Sequence, residues 1–205
     1  MNEFDNKAKE WDADPAKVER ARVVADAIRA GVPLGPDLAA LEYGCGTGLL
    51  SFALHPYLAR ITLADSSTGM LAILTEKIAD ASISNMTPIR LDLTTDPLPT
   101  GRYGLIYTLM TLHHVPEYAQ LLAAFHALLE PGGYLCIADL DKEEAANYHG
   151  EGFHGHHGFD RNELHRKLEE AGFVKIGFST VYEMVRETAD GKKFFPLFLM
   201  VAQAG

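Results

Sequence analysis

Cysteine is scarce in this sequence. Cys45 and Cys136 are the two in 205 residues, far apart and each in an apolar or glycine-rich setting. Free thiols in a reducing, cytoplasmic setting are the simple expectation, and a disulfide between the two is the less favoured one. Long apolar runs are missing too: nothing approaches the ~20 residues of a membrane-spanning helix. Met1 to Lys7 has neither the basic leader nor the apolar core of a secretory signal. Positive charge is in deficit, with 18 Lys and Arg against 28 Asp and Glu and a formal net charge of −10. A nucleic acid is on average repelled by such a chain, which makes it an unfavoured substrate, and points to a small, neutral or cationic one. Internal repeats and low-complexity stretches are absent, which excludes solenoid arrays.

What is present suits one α/β domain over residues 1–205, with 47% hydrophobic and 22% charged residues. Leu38 to Leu41 leads into the glycine loop Gly44-Cys45-Gly46-Thr47-Gly48, and Leu49 to Leu54 leaves it with helical character. Strand, tight turn and helix in that order form a nucleotide-binding geometry, because glycine lets backbone N–H groups and a helix N-terminus approach a ligand. The spacing is Gly-x-Gly-x-Gly, unlike the dinucleotide Gly-x-Gly-x-x-Gly, and Asp65 follows where a ribose-binding carboxylate belongs. Further strands are expected at Ile61–Asp65, Ile89–Leu93, Tyr103–Leu109 and Gly132–Asp139, with Val174–Val185 and Phe194–Ala202 as an antiparallel pair. Helices are expected from Asp14-Pro15 to Gly31, over Ser66–Ala79 and Pro116–Leu129, and over Arg161–Ala171 behind an Asp160/Glu163 cap.

The runs LEYGCGTG, ITLADSSTGML, LDL, LHHV and LEPGGYL, in that order between Phe4 and Phe173, resemble the Rossmann-like S-adenosylmethionine-dependent methyltransferases, above all the group that includes the quinone methyltransferases. The resemblance implies a three-layer, mostly parallel seven-stranded sheet with a C-terminal antiparallel hairpin and helices on both faces. It also implies S-adenosylmethionine as cofactor. Gly44, Cys45, Gly46 and Gly48 would then hold its methionine part, with Glu42 accepting from the ammonium. Asp65 would take both ribose hydroxyls, Ser66 and Met70 would flank the adenine, and Asp92 with the Leu93 backbone would bind its amine and ring nitrogen. Residues 1–35 resemble an N-terminal helical lid, in which Phe4 and Trp11 either close over the cofactor or merely pin a helix to the core.

Methyl transfer is an in-line displacement, so positioning and desolvation do much of the work, and the side chain to look for is a base. Histidine suits that role. His113 and His114 follow the fourth strand; they are either loop imidazoles or crevice bases. A second cluster, His149, His154, His156 and His157 with Glu151, lies in a polar stretch over residues 140–160 that fits neither helix nor strand. It is open between a substrate pocket, a bland lid and a metal site, although no tight ligand spacing is present and no metal is carried over. His114, His154 and His157 are the candidate catalytic residues, with substitution of either of the last two expected to lower turnover and spare cofactor affinity. Two other functions stay open: a non-catalytic S-adenosylmethionine-binding partner subunit, and a nicotinamide-dependent oxidoreductase. The chain is expected to act as a monomer or homodimer.

Overall fold

The computed structural model describes residues 4–142, 148, 152–188 and 191–205. Its centre is β1 (Ala39–Tyr43), buried along its whole length, as an apolar strand covered on both faces must be. Beside it lie β2 (Arg60–Asp65), β3 (Met86–Arg90), β4 (Tyr103–Leu109) and β5 (Leu129–Leu140), all parallel. A long hairpin, β6 (Phe173–Thr188) and β7 (Gly191–Ala204), completes a seven-stranded sheet of order β3-β2-β1-β4-β5-β7-β6, with β7 antiparallel to both neighbours.

Side chains alternate between the two faces with period two. Ala40, Leu63, Leu105, Cys136 and Leu197 pack with α1 (Pro15–Gly31), α2 (Leu49–Leu54) and α3 (Thr68–Asp80). Leu41, Ile106, Ile137 and Phe198 pack with α4 (Tyr118–Leu128) and α5 (Arg161–Glu170). The three layers and the sheet that the resemblance implies are therefore present. Helix starts follow the sequence signals: Asp14 caps α1 through the Ala16 N–H (3.0 Å) with Pro15 behind it, and Asp160 caps α5 through Asn162 and Glu163. Both cysteines are buried and unpaired. Among the described residues, no helix is long and apolar enough to cross a membrane.

Three features differ from expectation. Strand β3 lies three residues earlier than Ile89–Leu93, which puts Asp92 and Leu93 in the loop beyond it. Helix α1 is part of the core, with Ala21, Val24, Ala25 and Ile28 buried, so only residues 4–13, with a short 3-10 turn at Ala8–Ala13, lie outside the layers. The hairpin is also longer than the sheet it joins. β5 pairs with β7 only from Tyr134–Gln203 to Leu140–Leu197, so Gly191 to Pro196 and their β6 partners project past the carboxyl end of β5, by about 20 Å at 3.4 Å per residue.

Candidate active site

A cavity of about 280 Å³ opens at the carboxyl ends of β1, β2 and β4, where an open parallel sheet places its ligand crevice. Its floor is the glycine loop. Gly44, Gly46 and Gly48 all have positive φ (69°, 52° and 81°), for different reasons. A Cβ on Gly44 would lie 2.3 Å from the Thr111 side chain, and one on Gly48 would lie 2.6 Å from Leu74 of α3, so these two serve packing. A Cβ on Gly46 would meet nothing closer than Met70 and Trp11 at 4.0 Å, and would stand in the cavity itself. That free space beside an exposed backbone is where a ligand can lie against the chain.

Three carboxylates stand around this floor. Glu42, on β1, is 2% exposed; Ser51 Oγ donates to it and also contacts Tyr107 Oη at 2.6 Å. Burial pushes its carboxyl up to about 8, against the pull of Ser51. Asp65, at the end of β2, accepts from the Gly46 N–H (2.7 Å) and the Ser67 N–H (2.8 Å). Those contacts orient the carboxylate and leave further acceptor positions for a ligand, since an ionised carboxylate has about four. Burial nevertheless holds Asp65 above the ordinary carboxylate value. Asp92 accepts from the Thr94 N–H (3.0 Å) and hydroxyl (2.6 Å).

The expected residues divide cleanly. Glu42, Gly44, Cys45, Gly46, Asp65, Ser66, Met70, Asp92 and His114 line the cavity; Gly48 and Leu93 do not. Gly48 is the left-handed N-cap of α2, and the Leu93 N–H donates to Tyr43 Oη at 3.2 Å. His114 projects between the rings of Phe4 and Phe153 (5.3 Å each) and stacks on His113 at 4.1 Å. His113 is fully buried, with Nδ1 2.7 Å from Asp139. The structure does not bring His154 or His157 into the cavity wall; both are exposed. His156 is structural in its contacts: its N–H donates to the His113 carbonyl (2.7 Å) and its Nε2 reaches the carbonyls of Val115 and Pro116. It ties the 152–160 segment to the loop that carries His114. His149 and Glu151 lie outside the described residues. Among the described residues, no group of three or more His, Cys, Asp or Glu side chains is placed to hold a metal ion.

The roof is the N-terminal segment. Phe4 and Trp11 line the cavity with their rings 6.0 Å apart. Two aspartates fasten them down: Asp5 accepts from Ser67 Oγ (2.6 Å) and the Gly69 N–H (3.0 Å) at the start of α3, and Asp12 accepts from Thr47 Oγ1 and Lys77 Nζ.

Sequence reasoning missed several wall residues. Met110, after β4, is held at φ 55°, a left-handed conformation that is strained for a residue with a side chain. Lys17 and Arg20 of α1 also line the cavity. The readable signal for Arg20 was its register, since Arg20, Val24 and Ile28 fall at i, i+4 and i+8 on one face.

A family model described as a methyltransferase domain matches residues 18–176. A ubiquinone biosynthesis O-methyltransferase of Xanthomonas campestris is 30% identical over 141 residues, covering 66% of this chain and 58% of that protein. The chain spans about half the length of the curated relatives it matches. Among solved structures, the phosphoethanolamine N-methyltransferase 2 of Haemonchus contortus in complex with S-adenosyl-L-methionine superposes with a TM-score of 0.75 at 12% identity, over 100% of this chain and 60% of that one. The CurJ carbon methyltransferase gives 0.67 at 20% identity, over 90% and 54%. With the glycine loop, three carboxylates at successive strand ends and this match over most of its length, the chain belongs to the Rossmann-like S-adenosylmethionine-dependent methyltransferases.

Proposed function

We propose that the chain transfers a methyl group from S-adenosylmethionine to a small organic acceptor inside this cavity. The observation that carries the reading is the cavity itself: a bare Gly46 backbone flanked by Glu42, Asp65 and Asp92, under a roof of Phe4 and Trp11. The bound cofactor supplies an electrophilic methyl group on a sulfonium. Glu42 meets its ammonium, Asp65 its ribose hydroxyls, Met70 and Leu91 its adenine faces and Asp92 the adenine edge. The aromatic roof excludes water, which suits a displacement that disperses charge. His114, the one histidine among the described residues that line the cavity, takes or steers the acceptor's proton. Residues 4–13 act as the lid, and the 152–160 segment supports His114 from outside. Which acceptor atom is methylated is not a property of the fold, because the resemblances span oxygen-, nitrogen- and carbon-directed enzymes. The acidic surface and free buried thiols favour a cytoplasmic protein that does not use nucleic acid, as a monomer or homodimer.

Calorimetric titration with S-adenosylmethionine and with NADH tests the cofactor. Binding of the first alone, weakened at least tenfold in Asp65→Ala, is the expected result; binding of NADH alone would overturn the reading. With an acceptor in hand, His114→Ala lowers kcat, while His154→Ala and His157→Ala leave it within about twofold.

A further inference from the structure

A buried pair stands behind the cavity and takes no part in lining it. Asp139, next to the last residue of β5, and His113, in the short 3-10 turn Leu112–His114 after β4, are both fully buried, and neither belongs to the cavity wall. One carboxylate oxygen of Asp139 accepts from the His113 ring Nδ1 (2.7 Å) and from the Leu140 N–H (2.8 Å); the other accepts from the His113 backbone N–H (3.2 Å). An ionised carboxylate is an acceptor only, so this triple contact fixes the imidazole with its proton on Nδ1. The His113 carbonyl accepts in turn from the His156 N–H (2.7 Å), and a Cβ on Gly155 would lie 2.3 Å from that carbonyl. His113 is thus gripped at its N–H, its ring and its carbonyl by two different elements.

Burying a carboxylate and an imidazole is costly even when each satisfies the other, and an apolar pair would hold the loop as well. What the polar pair adds shows in its neighbour. The His113 ring lies 4.1 Å from that of His114 at a tilt of 40°, and Phe4 and Phe153 each meet His114 edge-on at 5.3 Å. Beyond the Phe4 ring lies Lys7 Nζ, 5.7 Å from its centroid; beyond the Phe153 ring lies His157, at 5.6 Å; beyond the His113 ring lies the Asp139 carboxylate. Lys7 and His157 are exposed and screened by water. Asp139 is enclosed, so its charge acts on the stacked rings with little screening.

We infer that Asp139 and His113 are positioning residues for His114: the carboxylate sets the tautomer and tilt of the His113 ring, and that ring sets the plane and polarity of the imidazole on the cavity wall. This rests on the reading of the cavity as a methyl-transfer site with His114 as its base. Neither residue touches cofactor or acceptor, and the pair acts through His114 alone. Its enclosed negative charge favours the imidazolium form of His114, which strengthens His114 as the group that takes the acceptor's proton.

The test is NMR on the full chain with isotope-labelled histidine, the His113 and His114 signals being assigned by their loss in His113→Phe and His114→Ala. The wild type should show His113 in its Nδ1–H form at neutral pH. In Asp139→Asn, which keeps the shape and removes the charge, the His114 titration midpoint should fall by about half a pH unit or more. S-adenosylhomocysteine affinity, measured by calorimetry, should stay within twofold in that variant, because the pair lies behind the cavity wall. A pair that merely pinned the loop would leave the midpoint where it is, and an unmoved midpoint in folded Asp139→Asn overturns the inference. Should that variant melt too early to titrate, the wild type decides alone: a His113 proton on Nδ1 upholds the inference, and one on Nε2 overturns it. Retained S-adenosylhomocysteine binding with an unmoved His114 sinks this inference and leaves the methyltransferase reading standing. Failure of the wild type to bind S-adenosylhomocysteine removes that reading first, and with it the role of His114 that the pair would serve.

Discussion

Glu42 shows how far a single residue's environment departs from its type. A carboxyl whose value stands near 8 in the folded chain and at 4.5 in the unfolded one holds a proton on folding. Its contribution to stability is fully present below about 4.5 and is lost as pH rises through 8. Gln, uncharged and of the same shape, lacks this dependence. The melting temperature of Glu42→Gln should therefore gain on the wild type as pH rises from 5 to 9 without ligand, by an amount worth a few kcal/mol at most. A constant difference across that range would show that Glu42 ionises normally. The positions of Glu42 and Asp65 were legible because a carboxylate near a strand's end beside a glycine loop has a mechanical reason to be there. Arg20 was not, although it sits in the apolar stripe of α1, because helical spacing identifies a face without saying whether a cavity lies beneath it. The histidine-rich stretch was conspicuous by composition, but composition does not fix orientation: His154 and His157 face solvent and stand outside the cavity wall.

The element with the clearest mechanical logic is the N-terminal segment, residues 4–13, proposed above as a lid. Asp5 approaches α3 so closely that a Cβ on Gly69 would lie 2.8 Å from the Asp5 Cα. Gly69 is otherwise an ordinary helical position, where Ala is preferred by roughly 1 kcal/mol. Gly69→Ala should therefore keep or raise global stability while lifting residues 4–13 off the cavity, and S-adenosylmethionine affinity should fall about three- to tenfold. Calorimetry and a thermal melt on one preparation check both halves. Unchanged affinity would mean that the roof contributes nothing to binding. The lid's attachment was hidden in the sequence because it depends on a glycine inside a helix, which reads only as a weak helix former. Strand β3 was misplaced for a related reason. Pro88 reads as a break, yet it pairs in register with Leu63, which β3 tolerates because it is the sheet's edge strand.

At the scale of the whole molecule, the cavity is the meeting point of several separate elements. The lid, the glycine loop, α1 and the loop carrying His114 all reach it, and Met184 of the overhanging hairpin backs Arg20. The positions of the parallel strands along the chain were legible because apolar runs and the motifs beside them mark where strands begin or end. The hairpin's overhang was not, because its length becomes meaningful only against the shorter β5. A ligand that contacts all these parts stabilises the folded state by mass action. At a hundredfold excess over Kd the gain is about 2.7 kcal/mol, which for a chain of this size raises Tm by about 5–10 °C. S-adenosylhomocysteine should give that shift and NADH at equal concentration none. Gly69→Ala, with its lid displaced, should give a smaller shift at the same ligand concentration, because the weaker Kd lowers the same logarithm. An equal shift in that variant would place the stabilising contacts on the sheet side alone and leave the lid with no part in holding the cofactor.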